Sequence, residues 1–180
     1  MQLVHDDVVI KKKKTYGISD YKKIHSEEIR IKGLELSLRV FTECNTSDYN
    51  DEGYNYFCSF IENKEQISQL LMYGAFYNNS LIGIAGFKEN GTHLSLFFIE
   101  KEYQGLKVGK KLFNFAINEI SPDHIIVSSS TIAVDFYKKN GFNIIENKRT
   151  KNGLTSVLME YKINSNYKDK RRSVKPVSSL

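Results

Sequence analysis

Residues Glu102 to Phe113 read Glu-Tyr-Gln-Gly-Leu-Lys-Val-Gly-Lys-Lys-Leu-Phe. An apolar, β-prone run, Leu94-Ser-Leu-Phe-Phe-Ile99, comes before them, and a helix-periodic run to Ile120 comes after. Strand, short turn with Gly105 and Gly109, then helix is an arrangement that aims backbone N–H groups at one spot. That spot lies at the positive end of a helix dipole, with Lys107, Lys110 and Lys111 close by. The chemistry it suits is the holding of a phosphate or pyrophosphate. A P-loop is excluded, because Gly105 and Gly109 are one residue too close and Lys111 stands where Ser or Thr is required. A Rossmann fingerprint is excluded as well, because it needs three glycines near the start of a βαβ unit.

A second segment, Ser128-Ser-Ser-Thr-Ile-Ala133-Val-Asp-Phe-Tyr137-Lys-Lys-Asn-Gly141-Phe142, follows a short buried-type strand, Ile125-Ile-Val127. A serine ahead of Ala133 is expected to cap a helix. Asn140-Gly141 is expected to end it in a left-handed cap. Together the two segments resemble the signatures of the GNAT N-acetyltransferase superfamily. Its acetyl-CoA loop reads Gln/Arg-x-x-Gly-x-Gly/Ala, and here Gln104 takes the first position and Gly109 the last. Lys107 departs from the pattern at the first glycine, which predicts φ below zero there. In the family's Asn-x-x-Ala-x-x-Phe-Tyr-x-x-x-Gly-Phe, the residues Ala133, Phe136, Tyr137, Gly141 and Phe142 are in register, and Ser130 replaces the asparagine. The body also looks like a small bacterial GNAT subgroup with an acidic loop, here Asp48-Tyr49-Asn-Asp-Glu52-Gly53.

The resemblance implies transfer of an acetyl group from acetyl-CoA to a primary amine of a small molecule or peptide. It assigns pantetheine pairing to the backbone of Phe97, Phe98 and Ile99, with the Ile99 N–H beside the thioester oxygen. It assigns the pyrophosphate to Gln104, Gly105, Leu106, Lys107, Val108, Gly109 and Lys110, with Ser128 and Ser130 on the other side. Tyr137 is the implied general acid. Glu100 is either the base that relieves the amine of its proton or an exposed strand-end carboxylate. Asp48, Asp51 and Glu52 either attract a cationic acceptor or form a solvated loop. Two rival functions are an acetyl-CoA-binding module with weak or no turnover, and an acetyltransferase toxin acting on charged tRNA.

The elements that must position these residues can be read in order. The run Leu34 to Phe41 is compatible with strand or helix, and interleaved Glu35, Ser37, Arg39 and Glu43 favour helix. Thr46 to Gly53 is loop by composition. Tyr54–Glu62 and Glu65–Met72 read as helices, and Tyr73–Tyr77, Leu81–Phe87 and His93–Ile99 as a meander of strands. A helix to Ile120, strand Ile125–Val127, helix Thr131–Asn140, strand Phe142–Glu146 and strand Leu154–Ile163 complete an α+β plan. The expected fold is a GNAT-type mixed sheet of six to seven strands with helices on both faces.

At 180 residues the chain supports one domain, able to bury roughly 70% of its unfolded surface. The expected division is an appendage over residues 1–28, a body over 29–163 and a basic tail over 164–180. Of the net charge of +5, the segment Ser165–Leu180 carries five basic residues against Asp169. Residues 1–28 carry six lysines against five acids, which leaves the body neutral. A nucleic-acid reader usually carries its basic stripe on the fold itself, so nucleic acid is not the expected partner. No run approaches a membrane span and the N-terminus has no apolar signal core, which reads as cytoplasmic. Cys44 and Cys58 read as free thiols, and His5, His25, His93 and His124 form no ligand pattern, so no metal is expected. A homodimer is compatible with the chain.

Overall fold

The run from Leu34 to Phe41 is helical, within α1 (Glu27–Cys44). Its buried residues are Gly33, Leu36, Ser37, Val40 and Phe41, a spacing of three and four that makes one stripe. Glu27 and Glu28 sit in the first turn, where a helix dipole favours negative charge. Burying Leu36 alone contributes roughly 2 kcal/mol.

The computed structural model describes residues 18–44 and 47–163. Seven strands, β1 (Ile18–Lys23), β2 (Leu71–Tyr77), β3 (Ser80–Phe87), β4 (His93–Ile99), β5 (His124–Ser129), β6 (Asn143–Lys151) and β7 (Leu154–Lys162), form one sheet in the order β1-β2-β3-β4-β5-β7-β6. Every neighbouring pair is antiparallel except β4 and β5. Helices α2 (Asp51–Glu62) and α3 (Lys64–Ser68) join α1 on one core, built around Leu36, Phe57, Ile67, Met72 and Leu96. Helices α4 (Val108–Ile120) and α5 (Val134–Lys139) belong to the other, with Leu112, Phe113, Tyr137 and Phe142. This is the α+β mixed sheet expected from the order of elements.

Boundaries differ from the sequence reading. Leu71 and Met72 start β2 instead of ending a helix. Arg30 sets that stop, donating to the carbonyls of Ile67 and Leu70 at the end of α3. The sheet takes in β1, whose residues from Ile18 pair with β2, so ordered structure begins ahead of Ile29. The proposed strand Val8–Ile10, the Lys11–Lys14 run and the basic tail lie outside the described residues.

One irregularity matters for the site. Opposite Gly86 and Phe87, β4 inserts an extra residue, Ser95, between Leu94 and Leu96. Leu94 therefore faces one core and Leu96 the other, which regular two-residue alternation forbids. Such a bulge bends its strand and interrupts pairing. Accordingly β4 pairs with β5 only at His93 and Leu94, and from Ser95 to Ile99 it has no partner on that side.

Candidate active site

Beyond the bulge, the phase of β4 follows from one bond. Glu100 N–H donates to Ile82 O at 2.9 Å, so Phe98 is a hydrogen-bonded partner of Ile84 and Ile99 is not bonded to Gly83. The N–H and C=O groups of Phe97 and Ile99 thus point into the opening between β4 and β5. Phe98 turns its backbone toward β3, and its side chain packs with Phe57 in the α1–α2 core, ring centroids 5.8 Å apart. That removes Phe98 from the set of backbone groups expected to line the opening.

The turn after β4 ends in an uncapped helix. A 3-10 turn, Lys101–Tyr103, leads to Gly105 at φ +74° and Lys107 at φ +63°. Lys107 therefore holds a left-handed backbone of the kind that favours glycine, contrary to the negative φ predicted for it. Its side chain is exposed, so the cost is local, about 1 kcal/mol. The first intrahelical bond of α4 is Lys111 N–H to Lys107 O, and no side chain caps the helix. The N–H groups of Val108, Gly109 and Lys110 are left for an anion, with exposed Lys107, Lys110 and Lys111 around them. Gly109 lies against both Ile99 and Phe136, since a Cβ there would stand 3.5 and 3.4 Å from them. Strand end, helix start and α5 thus converge at one place. Gln104 does not join the anion site: its N–H goes to Lys101 O at 3.3 Å, and its Nε2 donates to Ile99 O at 2.9 Å, bracing the strand end.

Tyr137 sits on α5, buried, with its ring 6.2 Å from Phe97 and 5.0 Å from Phe142. The expected left-handed cap is present at Gly141, φ +91°. Phe142 N–H reaches back to Tyr137 O and Gly141 N–H to Lys138 O, both at 3.0 Å, with Phe142 packed on Tyr137. These are the two bonds and the apolar contact of a Schellman motif. The Tyr-x-x-x-Gly-Phe spacing is therefore a device that fixes Tyr137 by its own carbonyl and its own ring. Burial pushes its phenol above the ordinary tyrosine range, so the hydroxyl keeps its proton at every physiological pH.

The other end of that helix corrects two expectations. Ser130 precedes the 3-10 turn Thr131–Ala133 but makes no side-chain cap bond, while Ser128 is exposed and buried Ser129 donates to Ser130 O. The cap comes instead from Asp48. Its Oδ2 accepts from Thr131 N–H at 2.7 Å and its Oδ1 from Thr131 Oγ1 at 2.6 Å. Asp48 is buried, 5% exposed, so it is neither solvated loop nor bait for a cation. Only Asp51 and Glu52, in the first turn of α2, remain exposed. Asn50 caps α2 through Gly53 N–H, and the loop is tied to the β6–β7 turn by Asn50 N–H to Gly153 O and a Tyr49–Leu154 bridge.

Glu100, half-buried at the end of β4, is bound through Oε1 by the guanidinium of Arg39 on α1. Neither Arg39 nor Asp48's partner was visible in the sequence, because both pairings span more than sixty residues. Among the described residues, no three His, Cys, Asp or Glu side chains gather as metal ligands, and no helix is long and apolar enough to cross a membrane.

Comparison with known proteins fits this geometry. The chain has no significant match among curated proteins. Among solved structures it is similar to a GCN5-related N-acetyltransferase from Rhodopseudomonas palustris, with a TM-score of 0.68 and 18% identity over 80% of this chain and 95% of that one. It is similar to the PaiA N-acetyltransferase from Thermoplasma acidophilum in complex with coenzyme A, with a TM-score of 0.62 and 21% identity over 81% of this chain and all of that one. An acetyltransferase of the GNAT family from Staphylococcus aureus Mu50 has a TM-score of 0.59 and 20% identity over 81% of this chain and all of that one. These likenesses are of fold. The family model for the acetyltransferase (GNAT) domain matches residues 45–163, a span that holds the β4 bulge, the α4 loop and Tyr137, and the chain belongs to that family.

Proposed function

We propose that this protein is a cytoplasmic N-acetyltransferase that moves the acetyl group of acetyl-CoA to a primary amine of a small molecule or peptide. The observation that carries the reading is the opening made by the bulge. It aims the Ile99 N–H into a gap that runs directly into the uncapped start of α4. Both cysteines among the described residues are free thiols, in keeping with a reducing compartment.

Acetyl-CoA supplies an activated thioester and an anionic handle. The backbone N–H and C=O of Phe97 pair with the pantetheine amides as a neighbouring strand would, and the Gly105–Lys110 turn holds the pyrophosphate. Gln104 contributes by holding the strand end, and Ser128, near the end of β5, and Ser130, just after it, flank the gap. The Ile99 N–H donates to the carbonyl oxygen as negative charge builds on it. A new C–N bond forms and the C–S bond breaks. The amine's proton passes to Glu100, directly or through water, while Arg39 keeps that carboxylate in place. Tyr137 donates its hydroxyl hydrogen to the departing sulfur. With a phenol pushed upward by burial, it acts chiefly as a hydrogen-bond donor, since a thiol is the stronger acid of the two.

Calorimetry with acetyl-CoA, and thiol release from acetyl-CoA with and without a panel of primary amines, tests this. Saturable binding and amine-dependent release are expected. Absence of both would overturn the reading, and binding without release would favour a non-catalytic acetyl-CoA module.

A further inference from the structure

We propose that Asp48 is a positioning residue for Tyr137, acting through Thr131 across the fold; this rests on the acetyl-transfer reading above. The segment that carries Tyr137 is short: one 3-10 turn, Thr131–Ala133, and then the six residues of α5. A helix of that length does not hold itself. Its C-terminal end is closed by its own Gly141 and Phe142, but its N-terminal end has no local cap, because Ser130 makes none. The fold supplies one from 83 residues away. Both oxygens of Asp48 are spent on Thr131, one on the backbone N–H and one on the hydroxyl.

The carboxylate is itself immobilised. Asp48 O accepts from Thr155 N–H at 2.7 Å, and the next residue, Tyr49, bridges to Leu154. Thr155 and Leu154 begin β7, which pairs along the whole of β5, and β5 leads into Thr131. The loop, β7, β5 and Thr131 therefore close a ring of bonds. A carboxylate taken out of water is costly unless it is fully bonded. A local serine or asparagine would cap the turn without that cost. What Asp48 adds is a rigid connection between the loop that opens α2 and the helix that carries the tyrosine. The pitch of α5, and with it the Tyr137 hydroxyl, is then set by the packing of the α1–α2 loop on β7.

A double-mutant cycle on the full chain decides this, with acetyl-CoA and spermidine as substrates, thiol release as the signal and release into water as the blank. Asp48→Asn is expected to lower kcat about ten- to a hundredfold, as misplacing a catalytic group by an ångström does. Its Kd for acetyl-CoA by calorimetry is expected to stay within about threefold of wild type. In the Tyr137→Phe background the same substitution is expected to cost almost nothing further, because the group it positions has gone. Thr131→Val, which keeps the backbone bond and loses only the hydroxyl, is expected to show a smaller loss with the same disappearance in the Tyr137→Phe background. It serves as the test if Asp48→Asn does not fold. Equal losses in both backgrounds, or an unchanged kcat in a folded variant, would show that the clamp serves stability alone. Wild-type protein that neither binds acetyl-CoA nor releases its thiol would instead remove the acetyl-transfer reading.

Discussion

The turn that opens α4 and the loop that opens α2 are built in opposite ways. The α4 side is one continuous stretch, Glu100 to Lys111, whose working groups are backbone N–H groups set by two left-handed residues and a helix start. The loop over residues 47–53, between α1 and α2, depends on distant partners as well as its own helix cap: Asp48 on Thr131, Asp48 and Tyr49 on β7, and Asn50 on Gly153. Local geometry tolerates substitution as long as the backbone keeps its shape. Geometry assembled from remote segments fails when any one approach is blocked.

The largest effect should therefore come from the assembled side. Gly153 has φ +69°, and a Cβ there would stand 2.2 Å from Asn50 Oδ1 and from Gly53 N. Those atoms belong to a capped helix start and cannot give way cheaply. Gly153→Ala is expected to cost about 3 kcal/mol from left-handed strain plus overpacking, read by urea denaturation. A loss under about 0.5 kcal/mol, the range of an ordinary surface change, would show that the two loops move apart freely.

Tyr137→Phe comes next and acts on rate instead of stability. The ring and the Schellman contacts survive, so the melting temperature should hold. The loss of the hydroxyl should lower kcat about 10²-fold, the low end for acid–base groups, because the raised phenol donates a hydrogen bond more readily than a proton. The sign for pH follows from the same burial. The folded protein disfavours the phenolate, so Tyr137 puts no limb in the profile below about pH 10. Above that pH the unfolded chain ionises first and stability falls. Wild-type kcat in the Phe variant from pH 6 to 9 would make Tyr137 a packing residue only.

The smallest effect is expected on the local side. Lys107 already has the backbone of a glycine, so Lys107→Gly relieves left-handed strain while freeing the unfolded chain, and the two nearly cancel. Stability should change by no more than about 1 kcal/mol, and acetyl-CoA affinity by less than about tenfold. A larger fall in affinity would show that the Lys107 ammonium binds the anion and would erase the contrast between the two sides.

This contrast also explains what could be read from the residues alone. Strand, two-glycine turn and helix, and the Tyr137-to-Phe142 spacing, are short-range patterns whose physics is complete within a few residues: a helix start leaves N–H groups open, and a left-handed glycine lets Phe142 fold back on Tyr137. Those patterns, with the order of strands and helices, determined the sheet and the family. Tertiary structure decided the rest. Nothing around Ser95 announces a bulge, because a bulge exists only relative to Gly86 and Phe87 on the partner strand. Nothing in Asp48-Tyr49 distinguishes a solvated acid from a buried clamp, because the difference lies in Thr131 and Thr155. Glu100 likewise meets Arg39 only when α1 is laid beside the end of β4. Backbone conformation is a property of neighbours in sequence, whereas the environment of a side chain is a property of neighbours in space.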